Sequence, residues 1–420
     1  MKNSILITNI GHLCCIHPRD KQRLRGNEMG RMGSIDNAWL LIEGEDIASF
    51  GVQESLNDHI QADIVVDAKG GTLLPCWCDP HTHMVYATSR EGEFVDKIRG
   101  LSYAEIARRG GGILNSADRL HAMSEDELYN EAMKRLQWMV GHGTGCVEIK
   151  SGYGLNTEDE LKMLRVIKKM KETSRVKIMS TFLGAHAVGR AYKGRQEEYV
   201  DLVVNEMLPA VAEEQLAEYV DVFCDEGFFT PAQTHRILQS AARYGMRPKI
   251  HASELSATGG VAVALENGAL SVDHLENASD EELQMLLYSD TMPTLLPGTS
   301  FFLNMPYALG RKMTDMGMGV ALATDFNPGS TPSADMKFVV SLACIKMKLT
   351  PTEAINAATL NSAYAMGLGE NYGSIAVGKK ASLQLLKPIP STDYIPYAYT
   401  RNLVRTMVLR GEIMEIGDEV

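Results

Sequence analysis

No stretch of this 420-residue chain approaches the roughly 18 apolar residues of a membrane span, and no run rich in lysine and arginine dominates it. Internal repeats and low-complexity segments are also missing. Neither a membrane nor a nucleic acid is therefore an expected partner. The net charge of −12 points the same way, although one well-placed arginine can still bind a small anionic substrate. The seven cysteines are odd in number and scattered, which argues against a disulfide framework. The opening MKNSILITNIGHLCC has one early lysine and an apolar run cut by Thr8 and Asn9, a poor secretory signal, so a cytoplasmic protein is expected. Hydrophobic residues at 45% and charged residues at 22% leave no case for disorder or a fibrous chain.

What is present is an alternation. From residue 72 onward, eight short apolar runs occur: TLLPCWCD (72–79), GCVEIKS (145–151), VKIMSTFL (176–183), YVDVFCD (219–225), PKIHAS (248–253), SVDHLE (271–276), TMPTLLP (291–297) and VALATD (320–325). Near-continuous apolar runs of this length suit parallel strands covered on both faces. Helix-start signals lie between and after them. Ser124 with Glu127, Thr157 with Glu160, Ser279 with Glu282 and Thr350 with Glu353 fit capping boxes, and Pro231 and Pro351 suit first helical positions. Leu128, Ala132, Leu136 and Met139 recur at helical spacing and are expected to face the sheet. Eight strands alternating with helices predict an α/β fold, a (β/α)8 TIM barrel over residues 71–370. The ends, 1–70 and 371–420, read as short strands and turns that pair into one small β-sandwich domain. Residues 20–34, with three arginines and three glycines, read as an exposed loop.

The sharpest local signal is Asp79-Pro-His81-Thr-His83, at the end of the first run. Residues i and i+2 of a strand point the same way, so two imidazoles at the barrel mouth can chelate one ion. An H-x-H alone is also compatible with a pair of core or surface histidines. However, His251, Asp273-His274 and Asp325 end later runs, and catalytic residues of such barrels come from the C-terminal ends of several strands. His81, His83, His251 and Asp325 are the expected ligands of one Zn²⁺ or iron ion. Such an ion lowers the pKa of a coordinated water from 15.7 toward about 7. Asp325 is placed to take the water's proton, and His274 to polarise a carbonyl or stabilise an oxyanion. The fourth run carries no lysine to bridge a second ion, so one metal per subunit is expected. Lys150, on the second run, is read as structural or substrate-facing. Cys76 and Cys78 form a C-x-C beside the histidines. They can bind metal, but two cysteines with apolar flanks in a buried strand read as core.

Several longer strings are more specific than H-x-H: DPHTHMVYATSREGEF (79–94), GLSYAEIARRGGGIL (100–114), EIKSGYGL (148–155), TFLGAH (181–186), HASELSATGG (251–260), ALATDFNPGS (321–330) and AINAATLNSAYAMGL (354–368). Together they resemble the amidohydrolase superfamily and, within it, the imidazolonepropionase family, over nearly the whole chain. That resemblance implies hydrolytic ring opening of 4-imidazolone-5-propanoate to N-formimidoyl-L-glutamate in histidine degradation. It implies the metal ligands already named, with Fe³⁺ as the alternative to Zn²⁺, and Glu254 as the residue that contacts the ring and relays a proton. It further implies substrate contacts from Arg90, Tyr103, Tyr153, His186, Asn327, Gly329 and Ser330, and a homodimer. An arginine suits the propanoate tail, because its fork binds a carboxylate through two hydrogen bonds. Two departures stand out. The family's Pro-Gly-aliphatic run before the histidines reads Pro75-Cys-Trp-Cys-Asp79, and the superfamily's Gly-Lys-x-Ala-Asp reads Gly378-Lys-Lys-Ala-Ser382. The rival readings are a cytosine or guanine deaminase, which binds a planar base without a carboxylate tail, and a non-catalytic barrel that has lost metal ligands.

Overall fold

In the computed structural model, residues 4–57, 59–101, 105 and 111–416 are described. Eight parallel strands follow one another in chain order around a barrel. They are β1 (Trp77–Thr82), β2 (Thr144–Lys150), β3 (Lys177–Ala185), β4 (Tyr219–Cys224), β5 (Ile250–Ala252), β6 (Ser271–His274), β7 (Met292–Leu295) and β8 (Ala321–Leu322). The ring closes just past β8. Thr82 and Phe326 form a parallel bridge, and the Asp325 and His83 amides donate to the carbonyls of His81 and Phe326 at 3.1 and 2.9 Å. Closure therefore runs through the segment carrying the histidine pair and Asp325.

Sequence signals for the helices translate into observed caps. Ser124, Ser279 and Thr350 each accept from the backbone N–H three residues on, with the matching glutamate bonded back. Thr230 and Gln233 form one more box, ahead of Pro231. The helix Glu125–Gly141 buries Leu128, Ala132, Leu136 and Met139, as its spacing predicts. Thr157 and Glu160 do not form the expected box. Asn156 is the cap there, accepting from the Asp159 amide at 2.9 Å, because Glu160 is engaged elsewhere. Its carboxylate turns inward and accepts the amides of Gly152, Gly154 and Leu155 at 3.0, 2.7 and 3.0 Å, shaping the loop after β2.

The run 72–79, read as one strand, divides at Cys76. Thr72–Pro75 belongs to a second sheet, where it pairs antiparallel with Leu383–Leu386 and parallel with Ser4–Ile16. That sheet also contains Gly33–Glu43, Asp46–Val52, Ile64–Asp67, Val404–Leu409 and Glu412–Glu415. Its strands form one hydrogen-bonded sheet, in which Ile64–Asp67 pairs only with Ser4–Ile16, and Ser4–Ile16 carries register shifts against Gly33–Glu43. Inward residues from both chain ends, including Ile7, Leu13, Leu40, Leu383 and Val408, meet in a core separate from that of the barrel.

Residues 20–34 are not simply exposed. Leu24, Gly26 and Met29 are buried, and Leu24 is clamped by Asn361, whose side chain accepts from its amide at 2.8 Å and donates to its carbonyl at 3.1 Å. The arginines also anchor the loop. Arg23 donates to the Asp290 carbonyl and Arg25 to that of Ser289, on the turn before β7. Counting polar residues missed this, because the packing partners lie more than 260 residues away. At the opposite end of the barrel from His81 and His83, Cys78, Cys146, Met179, Tyr219 and Leu270 pack on Ala363, Met366 and Leu368. Cys76 is also buried in the barrel core, and burial pushes its thiol pKa up. Among the described residues, no helix is long and apolar enough to cross a membrane.

Candidate metal centre

His81 and His83 both point into the barrel mouth from the end of β1. They are fully or almost fully buried, and their Nε2 atoms lie 3.2 Å apart. The Asp325 Oδ1 lies 3.6 Å from His81 Nε2 and 3.5 Å from His83 Nε2. His251 enters from β5, its ring centroid 4.4 Å from that of His81, and His274 from β6 at 5.5 Å. Two overlapping groups can thus hold an ion, one of His81, His83 and Asp325, the other of His81, His251 and His274, with His81 common to both. The chain adopts left-handed backbone at three of the strand ends concerned, Ser253 (φ 55°), His274 (φ 87°) and Asp325 (φ 56°). Such non-glycine conformations cost about 1–3 kcal/mol each and persist where surrounding structure fixes them.

The donor chemistry fits a divalent cation. Burial, reinforced for His81 by nearby Lys150 and for His83 by neighbouring His186, lowers the pKa of both rings well below the usual histidine range. Neutral imidazoles present lone pairs, and two lone pairs 3.2 Å apart and aimed together repel unless something positive lies between them. A tetrahedral shell with bonds of 2.0–2.1 Å has edges of roughly 3.3 Å, close to this separation. Among the described residues, Nε2 of buried His251 has no hydrogen-bond partner. Orphaned buried nitrogens of this kind are costly unless a ligand satisfies them.

Carboxylates stand behind the rings. His81 Nδ1 donates to Asp273 Oδ2 at 2.7 Å, which leaves Nε2 as the free acceptor. Asp221 Oδ2 lies 3.0 Å from His251 Nδ1, off the line of a hydrogen bond, while Oδ1 accepts the His251 amide at 3.1 Å. Thr299 and Ser330 donate to Asp325 Oδ2 at 2.7 and 3.0 Å, which turns Oδ1 toward the histidines.

Glu254 and His274 face each other across the mouth, with 3.6 Å between Oε2 and Nε2. Burial pushes the Glu254 pKa up to about 7. For His274, burial acts downward, but the carboxylates of Glu254, Glu276 and Asp325 outweigh it and raise the pKa to about 10. Asp225 fixes the Glu254 segment by accepting the amides of Glu254, Leu255 and Ser256 at 2.8, 3.0 and 3.1 Å.

The other sequence-derived residues gather around this centre. His186 stacks on His83 at 5.1 Å, and Tyr153 lies 6.0 Å from His83 and 5.7 Å from His186, centroid to centroid. His186 Nδ1 donates to the Gly152 carbonyl at 3.1 Å. Gly152 has φ +110°, and a Cβ there would lie 2.9 Å from that ring, so the close approach needs glycine. Arg90 pairs with Glu93 and packs on Gly329, where a Cβ would come within 2.4 Å of Nη1. Asn327 holds the loop after β8 together. Its Oδ1 accepts the amides of Gly329 and Ser330 at 2.7 and 2.8 Å, and Nδ2 donates to the Asp325 carbonyl at 2.7 Å. Tyr103 lies outside the described residues.

Asp221, Asp225, Glu148, Glu276 and Thr299 were not singled out from the sequence, and Glu160 was read only as a capping residue. The available signal was the presence of acids inside otherwise apolar runs: Glu148 on β2, Asp221 on β4 and Asp273 on β6 are all essentially inaccessible to solvent. Burying a carboxylate in a strand requires a partner, which marks such positions for attention.

Comparison with known proteins agrees with the architecture. Residues 72–414 match the amidohydrolase family. Over 98% of its length the chain is 52% identical to imidazolonepropionase of Christiangramia forsetii, covering 100% of that protein. It is 42% identical to that of Thermoanaerobacter pseudethanolicus over 91% of each chain. Among solved structures, a zinc-bound adenosine deaminase from Xanthomonas campestris superimposes with a TM-score of 0.72 at 16% identity, covering 100% of this chain and 94% of that one. An Aspergillus niger ochratoxinase gives 0.71 at 16%, covering 100% of this chain and 97% of that one. Those two likenesses speak for the fold alone. The chain belongs to the amidohydrolase family, a class of metal-dependent hydrolases. Within that class it belongs to the imidazolonepropionases.

Proposed function

We propose that the protein adds water to the ring carbonyl of 4-imidazolone-5-propanoate and breaks the adjacent C–N bond, releasing N-formimidoyl-L-glutamate in histidine degradation. The observation that carries this reading is the convergence of His81, His83, His251 and Asp325 at one rim, in a chain 52% identical along its length to a protein named imidazolonepropionase. A zinc or iron ion held by those four residues, one per subunit, supplies the Lewis acidity that makes water nucleophilic at neutral pH.

The remaining work belongs to the protein's own side chains. Asp325 Oδ1, directed at the centre by Thr299 and Ser330, accepts the proton of the attacking water. Glu254, with its pKa near 7, relays a proton to the ring nitrogen that leaves. His274, kept cationic by Glu254 and Glu276, stabilises negative charge developing on the carbonyl oxygen. Arg90 binds the propanoate tail, with Tyr103, Tyr153, His186 and the Asn327–Gly329–Ser330 loop enclosing the substrate. A base deaminase would share the metal ligands but has no use for an arginine placed for a carboxylate tail. The same reading includes a homodimer in the cytoplasm, with light scattering as the check on oligomeric state.

The test is spectroscopic. Imidazolone propanoate is supplied to metal-loaded protein, and its ultraviolet band is followed. The band disappears faster than in a protein-free control if the reading holds. Loss at the uncatalysed rate overturns it.

A further inference from the structure

Beneath the metal-facing histidines lies a cluster of five charged side chains, Glu148, Lys150, Asp221, Lys249 and Asp273, all essentially inaccessible to solvent. Glu148 and Lys150 are two apart on β2, so both point into the barrel interior. The Lys150 ammonium lies 2.6 Å from Glu148 Oε1, 2.8 Å from Asp221 Oδ2 and 3.5 Å from Asp273 Oδ2. Lys249 pairs with Glu148, donates to the Pro80 carbonyl at 2.9 Å and stays 4.0 Å from Asp273. Three carboxylates and two ammoniums leave one net negative charge in the interior. The two carboxylates that face histidines are Asp273, on His81, and Asp221, on His251, and Lys150 approaches both.

We propose that Lys150 is a positioning residue of the metal centre, holding Asp273 and Asp221 in the orientation that aims His81 and His251 at the ion. A carboxylate behind a ligating histidine fixes its tautomer and ring angle. A buried carboxylate stays ionised and fixed only when its own charge is compensated. Lys150 supplies that compensation for both acids at once. Lys249, tied to Glu148 and Pro80, does not reach Asp221 in the same way. The assignment rests on the reading that these histidines hold a divalent ion.

The experiment compares the wild-type protein with Lys150→Met and with Lys150→Met/Glu148→Gln. The second variant removes one charge of each sign and leaves both histidine-facing carboxylates in place. Zinc dissociation constants come from chelator competition, and melting temperatures are taken in the metal-free form. The expected result is an approximately 10- to 100-fold weaker zinc affinity in both variants, with the charge-balanced variant still folded without metal. Zinc affinity within twofold of wild type in either variant overturns the assignment. Failure of the charge-balanced variant to fold also overturns it, since Lys150 would then serve the fold. A wild-type protein that binds no zinc or iron defeats the metal reading itself, an outcome separate from both.

Discussion

Replacing Gly329 by alanine probes what Arg90 does. The new methyl would sit 2.4 Å from Arg90 Nη1 and 3.0 Å from Cζ, against an ordinary separation of about 3.5–4.0 Å. The backbone at Gly329 is not left-handed, so the methyl strains nothing in the chain itself. The relief is withdrawal of the guanidinium by about 1 Å, the difference between the imposed and the ordinary contact. A displacement of that size breaks hydrogen-bond geometry to a carboxylate. Hydrogen bonds to charged groups contribute about 1.5–3 kcal/mol, and each 1.4 kcal/mol is tenfold, so kcat/KM falls roughly 10- to 150-fold. The tail lies away from the bond that breaks, so most of the loss appears in KM rather than kcat. Steady-state kinetics on imidazolone propanoate reads both constants, and a melting curve checks that the fold is unchanged. Arg90→Met gives a loss of similar size, and the double variant is no worse than the stronger single, since both act on one contact. Constants for Gly329→Ala within twofold of wild type refute the assignment of the tail to Arg90.

Glu254→Gln lowers kcat by about 10²–10⁴ while metal content is unchanged. Because burial raises the Glu254 pKa to about 7, its proton-accepting carboxylate is lost as pH falls through that value. The wild-type rate therefore drops below about pH 7, and the residual rate of the glutamine variant lacks that limb. A limb that persists in the variant belongs to another group. Asn361→Ala removes two hydrogen bonds to Leu24 and one to the Val320 carbonyl at 2.9 Å. At about 0.5–1.5 kcal/mol each it destabilises by roughly 2–4 kcal/mol, read by denaturant midpoint, with kcat unchanged. Treatment with a strong chelator abolishes turnover, and added zinc or ferric iron restores it. Activity that survives complete metal removal contradicts the proposed chemistry.

The barrel was legible because its strands are buried on both faces and read as near-continuous apolar runs. The convergence of the candidate ligands was legible because strand ends put them at one rim, and His81, His83, His251, His274 and Asp325 do meet there. What stayed hidden depends on contacts between distant residues. The division of 72–79 at Cys76 is set by pairing of Thr72–Pro75 with Leu383–Leu386, more than 300 residues on, and no local pattern reports that. Thr157 and Glu160 match a capping box in sequence, but Glu160 is drawn off by three amides of the loop after β2. The support beneath the histidines was half visible: Lys150 and Asp273 could be named, yet their partnership with Asp221 and Glu148 needs the barrel closed.

The most direct test of the central claim is anomalous diffraction from crystals of the purified protein, at the zinc and iron absorption edges. The account predicts one strong peak per chain, within about 2.0–2.2 Å of His81 Nε2, a nitrogen each of His83 and His251, and a carboxylate oxygen of Asp325. A peak elsewhere, or none in a sample active on imidazolone propanoate, contradicts it.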